Sequence, residues 1–348
     1  MIRVSIIGYG YWGPNLVRNF FEVPEKFTVA GVCDMRPERL KAAQARYPSV
    51  RMTGDVNDIL NAPDIAAVAV ATPVSTHFDL SYRALRAGKH VLVEKPLTSN
   101  VEQAEQLVEF AEARNRILMV DHTFVYTGAV RKMRELVETG ELGTLYYYDS
   151  VRVNLGLFQH DVDVIWDLAV HDLSIMDYVV GEQPIAVSAT GSSHIAGRAE
   201  NIAYVTMFFE SSLIAHIHVN WLAPVKVRRT MVGGSRKMVV YDDVEPSEKV
   251  KVYNKGVDVR GTEDIYRMLI SYRSGDMTAP QLDITEGLRT EVFEFASSIE
   301  ENRKPLTDGE AGLRVVRLLQ AATHSMKARG RLVDVWTTKV GHDTVYRS

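Results

Sequence analysis

Short apolar runs alternate with amphipathic segments over the first third of the chain. The runs are apolar at successive positions, as is typical of parallel strands buried on both faces, and they lie at 2–7, 27–33, 65–71 and 90–93. The segments between them, such as LKAAQARY and VEQAEQLVEFAEARN, have the apolar spacing of helices. This alternation predicts a doubly wound parallel α/β sheet of the Rossmann type over residues 1–121.

The pattern changes at about His122. A helical segment and a helical stretch around 164–180 come first, and several strand-like runs separated by glycine and polar breaks follow. We therefore predict that residues 122–348 form an α+β domain with a large open, mainly antiparallel sheet, laid out as a meander. Both faces of the run 202–209 are apolar, so the sheet needs two covers. Either helices cover both faces, or helices cover one and a second subunit the other.

The sequence GYGYWG follows the first strand and precedes the first helix. It places Gly8, Gly10 and Gly13 in a G-x-G-x-x-G spacing, which allows a tight turn and a close approach of the backbone to a pyrophosphate. Asp34 ends the second strand about 20 residues later, where a carboxylate binds ribose hydroxyls and repels the 2′-phosphate of NADP. Arg36 weakens that preference. The motif predicts NAD rather than NADP, and the alternative is a structural turn without a ligand.

The stretch HVLVEKPLTSN places a charged pair at the end of a buried strand. In a doubly wound sheet the carboxyl ends of the strands line the ligand crevice. Thr72, Pro73, Glu94 and Lys95 are therefore expected beside the nicotinamide, where the lysine can touch the group that reacts with the cofactor. The alternative is a lysine that pairs with Glu94 at a sheet edge.

Asp167 and His171 are four positions apart in the second helical stretch, so they are expected to share a face. A carboxylate beside an imidazole can orient the ring and raise its proton affinity, as a base that removes a hydroxyl proton requires. The alternative is an ordinary surface ion pair.

The motifs GYGYWG, VCD, ATPVSTH, VEKPLTSN and WDLAVHDLSIMDYVVG together resemble the Gfo/Idh/MocA oxidoreductases, and the resemblance covers nearly the whole chain. It implies that Lys95 is an active-site residue near nicotinamide and substrate, and that a cis bond precedes Pro96. It also implies that Thr72, Pro73 and His77 border the nicotinamide ribose. For His77 the alternative is a histidine on a helix face.

The resemblance further implies a reaction in which hydride passes between NAD and a secondary alcohol of a sugar. His171 would take the hydroxyl proton, Asp167 would orient that ring, and Lys95 would hydrogen-bond the same oxygen. The residues expected to bind the cofactor are Gly8, Gly10, Tyr11, Trp12, Gly13, Asp34, Arg36, Thr72, Pro73, His77, Glu94, Lys95 and Pro96. Those expected to bind the substrate are Lys95, Tyr126, Arg152, Asp167, His171, Lys226 and Arg228.

The stretches around the D-L-A-V-H motif, in which Ala169 replaces the family's usual glycine, and NWLAPVKVRRT are most similar to members linked to nucleotide-sugar modification. The implied substrate is C3 of a UDP-N-acetyl sugar. A free-sugar or inositol dehydrogenase is one alternative, and a non-catalytic NAD-binding regulator of the same fold is another. Lys226, Arg228 and Arg152 should face the crevice if a diphosphate binds; otherwise they form a solvated face.

Two groups of polar residues were considered as metal ligands: His160, Asp161 and Asp163, and the pair His216 and His218 on one strand face. Neither is supported by a cysteine pair or an H-E-x-x-H spacing, so no metal is expected.

Charge and cysteine content narrow the remaining function classes. The formal charge of −4 over 348 residues gives no electrostatic argument for nucleic acid or a membrane surface as a partner. Cys33 is the only cysteine, and no signal segment or long apolar span stands out, so we expect a cytoplasmic protein. The resemblance implies a homodimer or homotetramer formed through the C-terminal sheet.

Overall fold

The computed structural model describes residues 1–156, 162–259 and 270–336. The first sheet contains six parallel strands: β1 (Ile2–Ile7), β2 (Phe27–Cys33), β3 (Arg51–Thr53), β4 (Ala67–Val70), β5 (His90–Glu94) and β6 (Leu118–Asp121). The helices between them are α1 (Gly13–Phe21), α2 (Pro37–Arg46), α3 (Asn57–Leu60), α4 (His77–Arg86) and α5 (Val101–Ala113). The predicted parallel α/β sheet is confirmed.

The order of these strands, β3-β2-β1-β4-β5-β6, reverses between β1 and β4. Every residue of β4 is buried because both faces of the sheet are covered, which explains its unbroken run of Ala and Val. Since the strands are parallel, the carboxyl ends of β1, β4, β5 and β6 meet at one edge. A doubly wound sheet binds ligands outside this edge, at the point of reversal.

The second sheet has nine strands in the order β16-β13-β12-β11-β7-β10-β9-β8-β17. In chain order they are β7 (Leu145–Leu155), β8 (Ala186–Ser192), β9 (Ile202–Phe208), β10 (Ile214–Asn220), β11 (Leu222–Gly234), β12 (Met238–Asp242), β13 (Val250–Tyr253), β16 (Met277–Thr278) and β17 (Val333–Asp334); β14 (Gly256–Val259) and β15 (Ile270–Arg273) pair separately. The mainly antiparallel sheet is confirmed. The meander is wrong at one place, because β7 inserts between β10 and β11 and pairs in parallel with β10.

Helices α6 (Gly128–Glu138), α7 (Val170–Val180), α8 (Gly287–Glu301) and α9 (Gly309–Lys327) complete the described fold. Residues of α6, α7 and α9 form one apolar core with the second sheet. Helix α8 instead contributes Leu288, Val292 and Phe295 to the core of the first sheet. The chain therefore returns from the second sheet to pack a late helix against the first one.

The two faces of the second sheet differ in exposure. On β9, Ala203, Val205 and Met207 point into the core, whereas Tyr204 is 45% and Phe208 37% exposed. This uncovered face agrees with helices on one side of the sheet only. None of the helices in the described ranges is long and apolar enough to cross a bilayer.

Candidate active site

The glycine-rich turn between β1 and α1 is shaped for close backbone contacts. Gly8 has φ +100°, and a Cβ atom there would lie 2.4 Å from the Ala71 carbonyl oxygen. A Cβ atom at Gly13 would lie 2.2 Å from the Gly8 carbonyl oxygen. No side chain fits at either position because each would collide with the protein's own backbone. The turn therefore packs closely between the strand ends and α1, as the G-x-G-x-x-G turn of a dinucleotide site requires, and the residues present fit a pyrophosphate.

Asp34 lies beside this turn with little exposure. One carboxylate oxygen accepts a hydrogen bond from the Tyr9 backbone N–H (2.8 Å) and the other from the Arg36 backbone N–H (2.9 Å). The Arg39 guanidinium on α2 lies 3.6 Å from the carboxylate and approaches Gly10, a neighbour that sequence spacing did not reveal. The preference for NAD over NADP stays a prediction, because two guanidinium groups flank the carboxylate.

The two aromatic residues of the turn differ. Tyr11 is exposed to solvent. Trp12 is half-buried, and its indole N–H donates a 2.5 Å hydrogen bond to the carboxylate of Asp121, the last residue of β6. The side chain of Trp12 thus links the turn to another strand end. Only the tertiary fold places these two residues together.

His77 is fully buried at the start of α4. Its Nδ1 lies 2.8 Å from the Pro96 carbonyl oxygen and its Nε2 lies 2.8 Å from the Thr72 carbonyl oxygen. Burial lowers the pKa of His77, while the two carbonyl contacts oppose that change. The ring therefore connects the segments after β4 and β5, and its place beside the nicotinamide ribose stays a prediction.

Lys95 follows β5 and reaches residues of the second half of the chain. Its ammonium donates to the Asp167 backbone carbonyl (3.0 Å) and lies 3.6 Å from a carboxylate oxygen of the same residue. The Lys95–Pro96 peptide bond is cis, as the family resemblance implied. Within the described ranges Lys95 forms its ion pair with Asp167 rather than with Glu94.

Asp167 does not orient His171, and that part of the prediction is wrong. Asp167 lies in a π-helical turn (Ile165–Ala169) that precedes α7. One carboxylate oxygen accepts a hydrogen bond from the Trp221 indole (3.0 Å), and the other lies near Lys95. The local period differs from that of an α-helix, and two partners from distant segments hold the carboxylate. Trp221 was missed because it follows β10, far from Asp167 in sequence.

His171 is half-buried beside the Lys95–Asp167 pair. Its ring packs edge-on against Phe124 at 5.1 Å, and its Nδ1 is buried without a hydrogen-bond partner in the described ranges. Burial, followed by the positive charges of Lys95 and Arg152, holds the pKa of His171 well below its usual range. The expectation of a raised proton affinity is therefore wrong, because cations rather than a carboxylate surround the ring.

Three of the proposed substrate contacts are placed differently from expectation. Arg152 is buried and paired with Asp172 (2.7 Å). Tyr126 is also buried, and its hydroxyl lies 2.9 Å from that of Thr307. Both side chains have partners in the protein interior, and their assignment to substrate binding stays a prediction. Lys226 is exposed.

Arg228 is the second member of the basic group, after Arg152, that lies near His171. It pairs with Asp243 at 3.3 Å, and its Nε is buried without a hydrogen-bond partner in the described ranges. Its positive charge contributes to lowering the pKa of His171. The predicted basic group is therefore divided, because Arg152 and Arg228 lie near His171 whereas Lys226 is exposed.

Glu94 and the neighbouring acids give the strand ends an unusual charge pattern. Burial and the negative charges of Asp121 and Asp167 raise the pKa of Glu94 to about 8, against the opposing effect of Lys95. Asp121 lies opposite Glu94 in the β5–β6 register. Near neutral pH the protonated form of Glu94 is therefore the favoured one.

The metal alternatives find no support in the described ranges, where no group of three or more His, Cys, Asp or Glu side chains could hold an ion. Asp163 accepts hydrogen bonds from the backbone N–H groups of Ile165 and Trp166 instead. His160 and Asp161 lie outside the described residues. His218 stacks on Tyr204 at 4.4 Å on the open sheet face.

Two protein-family models match the chain. Residues 2–122 match a model described as an oxidoreductase family with an NAD-binding Rossmann fold, and residues 130–240 match the GFO/IDH/MocA C-terminal domain. The first match confirms NAD as the cofactor class that the glycine motif predicted.

Curated relatives cover almost the full length of the chain. The UDP-N-acetylglucosamine 3-dehydrogenase of Acidithiobacillus ferrooxidans is 27% identical, over 90% of this chain and 94% of its own. The myo-inositol 2-dehydrogenase of Thermotoga maritima is 25% identical, over 94% of this chain and 97% of its own. An oxidoreductase from Agrobacterium radiobacter has been solved in complex with NAD+, L-tartaric acid and magnesium. It matches 96% of this chain and 98% of its own with a TM-score of 0.79 at 18% identity, which shows a shared fold.

Proposed function

Because the chain belongs to the Gfo/Idh/MocA family of NAD-binding oxidoreductases, we propose that it transfers a hydride between NAD and a secondary alcohol of a sugar, at C3 of a UDP-N-acetyl sugar. The observation that carries this proposal is the convergence of Lys95, Asp167 and His171 beside the carboxyl end of β5. An ammonium and a neutral imidazole at one place suit the handling of a hydroxyl proton.

The first sheet would hold the cofactor. The Gly8–Gly13 turn and the start of α1 would take the pyrophosphate, and Asp34 the adenosine ribose. Thr72 and Lys95, after β4 and β5, would border the nicotinamide end. NAD, when bound, supplies the hydride acceptor for the alcohol carbon.

Lys95 would stabilise the substrate oxygen. Negative charge builds on this oxygen as the carbon gives up hydride, and a positioned donor at such an atom is worth on the order of 3 kcal/mol. Asp167 holds the ammonium in place through its backbone carbonyl and its carboxylate. Trp221 in turn fixes that carboxylate. Lys95 is thus set in one orientation before a substrate arrives.

His171 would accept the hydroxyl proton as a neutral ring. Its lowered pKa keeps the imidazole unprotonated at neutral pH, so a ring nitrogen is free to accept. The same cationic neighbours disfavour the imidazolium, so His171 would pass the proton on quickly rather than hold it. Lys95 shares the substrate oxygen and is the alternative base.

The nucleotide-sugar assignment is supported by the 27% identical relative whose name states that activity. Arg228 lies close to His171 and has a buried guanidinium N–H without a hydrogen-bond partner in the described ranges, which suits a phosphate or other acceptor-rich group. The second candidate is an inositol dehydrogenase, favoured by the 25% identical relative from Thermotoga maritima.

A substrate panel tests the proposal. The purified protein is mixed with NAD and with UDP-N-acetylglucosamine, dTDP sugars, free hexoses or myo-inositol, and reduced nicotinamide is followed by absorbance. We expect a signal with UDP-N-acetylglucosamine and a much weaker one with the free sugars. Turnover of myo-inositol alone would select the second candidate. No turnover of any compound, with NAD bound, would indicate the non-catalytic regulator.

The open face of the second sheet is the proposed oligomer interface. Tyr204, Phe208 and Ile214 expose apolar surface on neighbouring strands β9 and β10. Contiguous apolar surface of this kind is unusual on a monomer, which supports a homodimer or homotetramer. We also retain the cytoplasm as the proposed compartment, in keeping with the buried free thiol of Cys33.

A further inference from the structure

A pair of carboxyl groups lies inside the protein behind the strand ends. Asp121, the last residue of β6, is 2% exposed, and Glu291 on α8 is fully buried. The two carboxyl groups are close enough that each alters the pKa of the other. The pair joins the first sheet to the late helix that returns to pack on it.

The hydrogen-bond donors around this pair are unequally distributed. Asp121 accepts from the Trp12 indole (2.5 Å) and from the Thr123 hydroxyl (2.5 Å). Within the described ranges no donor is hydrogen-bonded to either oxygen of Glu291. The Thr123 hydroxyl also acts on Glu291, but its proton is already donated to Asp121. A buried carboxylate with no donor is costly, and two facing carboxylates repel each other. A proton on one of the two groups removes both penalties, because it supplies the missing donor.

We propose that Asp121 and Glu291 share a single proton, and that this pair positions Trp12 of the glycine-rich turn for cofactor binding. The proposal concerns NAD alone and does not depend on the identity of the sugar. Asp121 and Glu291 are positioning residues in this account, since they act on the cofactor through the indole of Trp12.

The charges around the pair favour the protonated form. Glu94 from β5 is a further acid beside both groups, and Asp167 lies beyond Glu94. Lys95 is the cation that acts on Asp121. Burial, and then Asp121, hold the pKa of Glu291 well above its usual range. The other titratable neighbours are Glu294 on α8 and the phenol of Tyr126, whose pKa is itself raised.

The arrangement has a direct consequence for the turn. Trp12 is the residue before the first helical residue of α1, so its side chain leaves the backbone where a pyrophosphate is expected. Glu291 keeps the carboxylate of Asp121 in place. The hydrogen bond from the Trp12 indole to that carboxylate then fixes the indole in one orientation. If Asp121 lost its acceptor atoms, the turn would keep its glycines but lose the hydrogen bond that holds the Trp12 indole.

Infrared difference spectroscopy tests the shared proton. The wild-type spectrum minus that of Glu291→Gln at pH 7 should contain the C=O stretch of a protonated carboxylic acid, which deuterium exchange shifts. Glu294→Gln is the matched control on the same helix: Glu294 is paired with Arg303 at 2.7 Å, and its difference spectrum should show carboxylate bands only. A Glu291→Gln difference that also shows carboxylate bands only would overturn the shared proton.

The cofactor affinity of two Asp121 variants tests the positioning role. Asp121→Asn keeps an oxygen that can accept from Trp12 and gains an N–H for Glu291, so the Kd for NADH, read from nicotinamide fluorescence, should stay within about twofold of wild type. Asp121→Leu removes the acceptor and should weaken binding about tenfold, as Trp12→Phe should. Equal affinity of Asp121→Leu and wild type, or equal losses in Asn and Leu variants that both fold, would overturn this role.

Discussion

The ammonium group of Lys95 lies 3.0 Å from the backbone carbonyl oxygen of Asp167 and 3.6 Å from its carboxylate. Lys95 directly follows a strand of the first sheet, and Asp167 belongs to the π-helical turn before α7. This contact joins a residue beside the expected nicotinamide site to the half of the chain that would carry the sugar. Both side chains are mostly buried, so the interaction is less screened than a surface ion pair.

Replacement of Lys95 by alanine should abolish most turnover with little effect on cofactor affinity. The variant loses the donor to the reacting oxygen, and we expect kcat to fall by roughly 10² to 10³. NADH binding, measured by fluorescence, should change by less than about threefold because the glycine turn and Asp34 are intact. Lys132→Ala, which removes a surface lysine paired with Glu135, is the control. Retained turnover would refute the assignment of Lys95.

Asp167→Asn should lower kcat because it removes the negative charge beside the Lys95 ammonium. The asparagine oxygen can still accept from the Trp221 indole, so the local packing should survive. We expect about a tenfold loss of kcat with an unchanged Kd for NADH. Trp221→Phe, which leaves the charge but frees the carboxylate, should produce a smaller loss. If Asp167→Asn changes NADH affinity and leaves kcat alone, the proposed role is wrong.

His122 should make the protein sensitive to acid. It is buried, neither ring nitrogen has a hydrogen-bond partner in the described ranges, and burial lowers the pKa of His122 to about 4. In the unfolded chain the imidazole takes up a proton below about pH 6.5, whereas in the folded chain it stays neutral down to about pH 4. The folded state therefore keeps its full stability above pH 6.5 and loses stability as the pH drops toward 4. The cost is roughly 3 kcal/mol at the lower end.

Thermal unfolding between pH 4 and pH 7 measures this effect. The side chain in His122→Gln cannot titrate. As the pH falls, the free energy of unfolding of the wild type should therefore decrease more steeply than that of His122→Gln. A pH-independent difference would show that His122 is already protonated or that it contributes nothing to acid sensitivity.

His77 should matter for stability and for cofactor affinity together. Its ring joins the carbonyl groups of Thr72 and Pro96, which precede and follow the expected nicotinamide contacts. His77→Ala leaves a cavity and two buried carbonyl groups without their partner, so we expect about 2–4 kcal/mol of destabilisation and weaker NADH binding. Denaturant unfolding and NADH fluorescence measure the two effects. The exposed His324→Ala is the control, and unchanged NADH affinity in a destabilised His77→Ala would limit the residue to folding.

Tyr204→Glu should dissociate the proposed oligomer. A carboxylate placed on the open face of β9 would have to be buried without a partner at an interface, which costs several kcal/mol. Light scattering after gel filtration should show a monomer in place of a dimer or tetramer. Ile284→Glu, at a side chain that is 97% exposed outside the sheet, should keep the wild-type mass. A wild-type protein that is monomeric at micromolar concentration would contradict the proposal.

Sequence patterns predicted the parts of this protein that depend on local chemistry. The glycines of the turn are required by backbone approaches that no Cβ atom permits, as Gly8 and Gly13 show. Asp34 and Lys95 were found because they stand at strand ends, and strand ends in a parallel sheet share one edge. The inward and outward faces of β9 followed from the alternation of side chains along a strand.

Only the tertiary structure decided which partners these residues have. Asp167 and His171 are close in sequence, yet the carboxylate of Asp167 contacts Lys95 and Trp221 instead. The fold brings these two residues to Asp167 from distant parts of the chain. Arg152 and Tyr126 look like ligand contacts in a list of polar residues but are buried and paired in the interior. The sequence by itself determined the sheet, the turn and the edge that carries the chemistry, since these depend on spacing within one element. Charge environment and pairing depend on contacts between elements, and the fold alone sets these.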